Sequence, residues 1–192
     1  MKIARAFAVV LCLLGPSTVS ALAQGTTAGM EVGLSMSRVS PDAAGQSISR
    51  GPGVLAGAWV AFQPWAPVGI QLEAVYAQKH SHLTSSSDLK LDYLEIPILA
   101  KLKLFKSIYM LEGIALGFPV SGKVTTGSSD VDIKSNLASP DIGMIIAGGV
   151  PVAPKVSLEF RYEGGFRKIF DSTNAAIQRN RSLSGIARIR IS

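Results

Sequence analysis

The chain has two histidines, His80 and His82, in the stretch KHSHLTSSS. An H-x-H pair has a spacing that can hold a metal ion, and the neighbouring serines could serve as a nucleophile for an imidazole to activate. Either chemistry needs a further ligand or a carboxylate to orient the ring, and Asp88 is the nearest candidate. The competing reading is a polar, solvated loop.

A second set of charges recurs at alternate positions: Glu73, Glu95, Lys101, Lys103, Glu112, Asp141, Glu159, Arg161, Glu163, Arg188 and Arg190. Both signs are present, so these groups can pair inside a low-dielectric enclosure, where a lone charge is costly. The same residues could instead line a conduction path. Gly148-Gly149 and Gly164-Gly165 have neither the helix nor the lysine of a phosphate-binding loop after them, and they read as strand glycines or bulges. No cofactor is implied.

These residues sit on segments of strand period. The clearest is YLEIPILAKLKL, Tyr93 to Leu104, in which Leu94, Ile96, Ile98, Ala100, Leu102 and Leu104 alternate with Glu95, Lys101 and Lys103. Pro97 removes a ladder donor and implies a bulge or a local break. Eight strands are expected, near 30–39, 53–63, 68–79, 89–104, 108–120, 141–150, 155–166 and 181–191. The second is apolar on both faces, which leaves its orientation open. Trp59 and Phe160 fall in mid-strand.

The first residues, MKIARAFAVVLCLLGPSTVSALAQ, read differently. Lys2 and Arg5 precede a short apolar run, and Ala21-Leu22-Ala23 forms an A-x-A site, so residues 1–23 are expected to be a cleaved secretory signal peptide. The domain would then be 24–192, or 192 − 23 = 169 residues, with its net charge falling from +6 to +4 once Lys2 and Arg5 leave. Cys12 is the sole cysteine, so a mature chain would have no disulfide. Secretion and the lack of a basic cluster interleaved with aromatics argue against nucleic acid as a partner. Beyond the leader no stretch of about eighteen apolar residues occurs, so a membrane reading requires a closed barrel.

The connections point the same way. SPDAAGQSISRGP, HSHLTSSSD, SGKVTTGSSDVDIKSNLASP and RKIFDSTNAAIQRN are long; PWAP, KS and PVAP are short. Long and short alternate, as in an outer-membrane barrel with short periplasmic turns and longer outer loops. Phe62, Trp65, Phe105 and Tyr109 fall near the short turns, and Tyr76, Tyr93, Phe118 and Phe166 near the long loops, as two aromatic belts would. The apolar set would face lipid, and the charges would fill an interior just wide enough for side chains. A soluble lipocalin-like barrel would reverse both faces.

YLEIPILAKLKL, with Tyr93, Glu95, Ile96 and Pro97, resembles the central signature of the outer-membrane β-barrel family labelled PorT-like or "porin family", which includes small barrels similar to the OmpA type. PDIGMIIAGGV (140–150) and LEFRYEGGF (158–166) resemble its later segments. The resemblance implies an eight-stranded antiparallel up-and-down barrel in a Gram-negative outer membrane, reached through the periplasm. Some relatives act in secretion or gliding machinery. The terminal RIRIS departs from the aromatic residue that usually ends such barrels. The expected partners are outer-membrane lipid, the barrel assembly machinery, and a protein partner reached through the outer loops. The main expectation is a non-catalytic structural or adhesive role. The alternatives are a small-solute transport barrel and an outer-leaflet lipid-modifying enzyme, since lipid-A deacylases are eight-stranded barrels that use histidine and serine.

Overall fold

The computed structural model describes residues 25–41, 48–65, 67–84, 87–105, 108–169 and 178–191. The expected leader and its cleavage site lie outside the described residues. The strands are β1 (Thr26–Pro41), β2 (Ser49–Trp65), β3 (Val68–Thr84), β4 (Ser87–Phe105), β5 (Ile108–Thr126), β6 (Ser129–Asp132), β7 (Asp141–Ala153), β8 (Val156–Gly165) and β9 (Gln178–Arg190). All pairings are antiparallel. β1 to β5 pair in succession, β5 pairs with β7, β7 with β8, and β8 with β9. β9 returns to β1 and closes the ring. The barrel therefore has eight strands, and β6 is a short addition to the upper part of β5. Closure gives every barrel strand two partners and leaves no open edge to lipid.

Side-chain parity follows the pleat. Leu94, Ile98, Leu102 and Leu104 point outward on β4, and Met30, Val32, Leu34 and Met36 on β1, with Leu34 72% exposed. From Leu94 to Leu104 the strand makes ten residue steps; at ~3.3 Å each and a tilt of ~40° that spans about 25 Å, the height of an outer-membrane apolar band. Tyr76, Leu94 and Phe118 form one cross-strand row at its outer limit. Tyr93 and Tyr109, expected in the aromatic belts, are instead buried inside, because they share parity with Glu95 and Leu111. Phe160 points outward, 63% exposed.

Pro97 points inward and is fully buried. It pairs with Ala115 on β5, while the β3 side passes from Leu72–Ile98 directly to Val75–Glu95. The register is the same on either side of this gap, so the missing donor makes a break in the ladder and no bulge.

The outer end differs from expectation. HSHLTSSSD is not a long loop: β3 continues to Thr84 and β4 begins at Ser87, so the two strands meet in a hairpin. The longest expected loop also carries order, namely the upper part of β5, strand β6 and a 3-10 turn at Lys134–Asn136. Outward residues here are polar, while Leu89 and Leu91 still point inward and keep the strand period.

Candidate functional site

The interior contains two groups of charge. In the first, the Arg161 guanidinium donates to both oxygens of Glu73, at 2.8 and 3.1 Å, and to Glu159 Oε1 at 2.7 Å. Arg188 donates to Glu159 Oε2 at 2.6 Å and Glu73 Oε1 at 2.9 Å, and lies 3.0 Å from Glu31 Oε2. Gln71 Nε2 donates to Glu73 at 2.6 Å. All six side chains are buried. Two planar forks thus bridge carboxylates from β1, β3 and β8, using the bidentate geometry that arginine has and lysine lacks.

The second group lies nearer the outer end. Lys79 Nζ bridges Glu95 at 2.5 Å and Glu163 at 2.6 Å, 5.2 Å from the centre of the Tyr93 ring. Asn180 donates to Asp141 Oδ2 at 2.7 Å and to the Tyr93 hydroxyl at 3.3 Å.

Of the charges expected inside, Glu73, Glu95, Asp141, Glu159, Arg161 and Arg188 are buried there, and Glu163 is half-buried against Lys79. Glu112 is a correction. It points outward between Met110 and Ile114, opposite Ala100 and Ile146, because Tyr109, Leu111 and Ala115 take the inward parity. Lys101, Lys103 and Arg190 join neither group and line the mouth at the short-turn end.

That mouth is a cavity of about 590 Å³. Its aromatic floor rests on glycines. Trp59 lies over Gly29, its cross-strand partner, where an added Cβ would come within 2.6 Å of the indole. Tyr109 covers Gly149 in the same way, and an added Cβ there would overlap the ring. The Lys101 ammonium stands 5.5 Å from the Trp59 ring centre and 4.8 Å from that of Tyr109. The Arg188 guanidinium stands 4.9 Å from Trp59. These are cation–π distances.

The other end carries an apolar plug among the described residues. Leu137 and Ile169, from the connections after β5 and β8, pack into a buried cluster with Val39, Leu89, Leu91 and Tyr93. The Ala138 N–H donates to the Ile169 carbonyl at 2.7 Å and ties the two connections together. Above the Tyr76–Leu94–Phe118 row, β3 to β6 present three polar rows on their outer face. These are Gln78–Asp92–Ser121, His80–Lys90–Lys123–Asp132 and His82–Asp88–Thr125–Asp130. His82 Nδ1 is 2.6 Å from Asp88, and His80 Nε2 is 3.6 Å from Asp92. Ser81 faces inward, away from both rings, and its hydroxyl accepts from the Val39 N–H. Among the described residues no group of three or more His, Cys, Asp or Glu could hold a metal ion.

A ring of eight strands, apolar outside and charged within, meets the physical requirements of a membrane barrel. Residues 22–171 match the family model described as outer membrane protein beta-barrel domain. The chain belongs to this family. Among solved structures it is similar to Ail, the attachment invasion locus protein of Yersinia pestis, at 13% identity and a TM-score of 0.56 over 88% of this chain and 99% of that one. It is equally similar to the Neisserial surface protein A, at 15% identity and a TM-score of 0.56 over 86% and 98% of the chains. A second Ail structure, in complex with the heparin analogue sucrose octasulfate, aligns at 12% identity and a TM-score of 0.53 over 86% and 99%. No curated protein matches this chain.

Four participants in this outer-membrane barrel's interior escaped the sequence reading: Glu31, Gln71, Lys79 and Asn180. Glu31 alternates with Met30 and Val32, and Lys79 shares parity with Glu73, so strand period alone would have placed both inside. Nothing in the local sequence marks Asn180, whose partners come from β4 and β7.

Proposed function

We propose that this barrel is a non-catalytic surface protein that binds an extracellular partner through the β3–β6 sheet. The observation that carries this reading is the pair Lys90 and Lys123. The two face each other directly across β4 and β5, and both are exposed. Like charges in this position destabilise a sheet; Asp132 on β6 lies opposite Lys123, which leaves Lys90, between Lys123 and His80, as the cation that an acidic group of a partner would compensate. The sheet stands on the apolar cluster around Leu89 and Leu91, so little ordering entropy opposes binding. Ail, a structural neighbour, is named for attachment and has a structure bound to a heparin analogue.

The outer cluster weighs against solute passage. In the lipid-modifying reading Ser81 is not the nucleophile, because it and the histidines occupy opposite faces. Adhesion of cells displaying the protein to immobilised heparin tests the proposal. Adhesion should exceed that of cells lacking the protein and fall at least fivefold in a Lys90→Glu, Lys123→Glu double variant that still shows heat-modifiable gel migration. Adhesion unchanged by the double substitution would overturn the proposal. We also propose that residues 1–23 are a cleaved leader, so that the exported chain begins at Gln24; N-terminal sequencing of the membrane-inserted protein reads this directly.

A further inference from the structure

The mouth at the short-turn end carries an unbalanced charge. Lys101, Lys103, Lys155 and Arg190 all line it, and among the described residues no carboxylate does. Among the described residues no cation of that set pairs with an acid; Lys101 rests on two aromatic rings, and the Arg190 guanidinium donates to the Pro154 carbonyl at 3.0 Å. The interior guanidinium of Arg161 a few residues away, by contrast, donates to Glu73 at 2.8 Å and to Glu159 at 2.7 Å. Self-repulsion of this kind is tolerated where an anion can enter.

Two further donors point to the same class of ligand. Trp59 is 8% exposed and Arg188 2%, and both line the cavity. Trp59 Nε1 and Arg188 Nε have no acceptor among the described residues. Buried donors without partners are costly, so this cavity is short of acceptor oxygens as well as of negative charge. Its volume of about 590 Å³ lies within the range of small-ligand sites.

We propose that this periplasmic vestibule binds a phosphate-bearing oxyanion. A phosphate group has several acceptor oxygens and more than one charge, which suits converging ammonium, guanidinium and indole donors. The vestibule opens beside the inner-leaflet surface, so the phosphate can belong to a soluble periplasmic compound or to a lipid headgroup. Lys101 supplies charge above the aromatic floor, and Lys103, Lys155 and Arg190 attract the anion from the rim. The site is separate from the outer sheet and does not depend on what binds there.

Inorganic pyrophosphate is the probe, titrated calorimetrically into the full chain in phospholipid nanodiscs, where both faces are open. In phosphatidylcholine discs it should bind saturably and more weakly as salt rises. A Lys101→Gln, Lys103→Gln variant should lose at least tenfold in affinity, and Arg179→Gln, exposed at the outer end of β9, should lose none. If the double variant fails to fold, Arg190→Gln with Lys155→Gln at the exposed rim replaces it, with the same loss expected. Equal affinity in discs containing phosphatidylglycerol assigns the site to a soluble anion; weaker affinity there assigns it to a headgroup. Absence of saturable binding in phosphatidylcholine, or binding indifferent to the vestibule substitutions, would overturn the proposal.

Discussion

At the outer end of the barrel, Leu137 and Ile169 descend from two connections onto Leu89, Leu91 and Tyr93, and the charges beneath them are paired. At the periplasmic end, Trp59 and Tyr109 form a floor, and among the described residues no carboxylate lines the mouth beside Lys101, Lys103, Lys155 and Arg190. Both ends are built on strands of the same ring, with the same alternation of side chains. They differ in whether lysine ammonium groups face carboxylates: Lys79 meets Glu95 and Glu163, and Lys101 meets two aromatic rings. Where Arg161 has Glu73 and Glu159, the arrangement is explained by stability alone. Where Lys101 has only aromatic rings, stability does not account for the charge, and binding does.

This contrast can be broken by substitution. The largest effect is expected at Arg161→Ala. Removing one partner from a buried ion pair leaves uncompensated charge and costs about 3–5 kcal/mol. Equilibrium unfolding in detergent should show that loss, whereas Lys101→Gln, at the open end, should fold with nearly wild-type stability. Equal losses at the two sites would remove the distinction between them.

Leu34→Arg tests the lipid face at the middle of β1. A charge at mid-membrane depth costs about 2–4 kcal/mol, measurable as reduced folding into vesicles. Glu112 sharpens this test, since it already faces outward near the start of β5. Glu112→Leu should leave stability unchanged or raise it; a marked loss would mean that the carboxylate has a partner. Leu137→Ala in the outer cluster should cost about 2 kcal/mol, at the low end for a buried leucine because the site lies in a connection. The smallest effect belongs to His82→Ala. The pair with Asp88 is about half exposed, and such pairs contribute less than about 1 kcal/mol.

How much of this was legible in the sequence depends on the contrast between the two faces of each strand. On β4 an uninterrupted apolar parity lay against Glu95 and Lys101, and the orientation could be read directly. On β2 both parities are apolar, and only the cross-strand partner Gly29 shows that Trp59 points inward. On β5 Leu111 and Met110 compete for the interior. The tyrosine ring over Gly149 settles the parity, and with it the outward direction of Glu112. The outer hairpin was mistaken for a loop because its exterior residues are polar above the membrane. Leu89 and Leu91 carried the strand period all the same, alternating with Asp88, Lys90 and Asp92. The vestibule could not be read at all. Lys101, Lys155 and Arg190 lie far apart in the chain, and only the closed ring brings them to one mouth.

The central claim is a barrel closed outward and open to the periplasm, and labelling of single cysteines on living cells tests it most directly. Cys12 is the sole native cysteine and lies in the expected leader. A membrane-impermeant maleimide should label Lys123→Cys on intact cells, and Lys103→Cys only after the outer membrane is permeabilised. Labelling of Lys103→Cys on intact cells would contradict the account, since the vestibule would then be reached through the barrel or would face the outside.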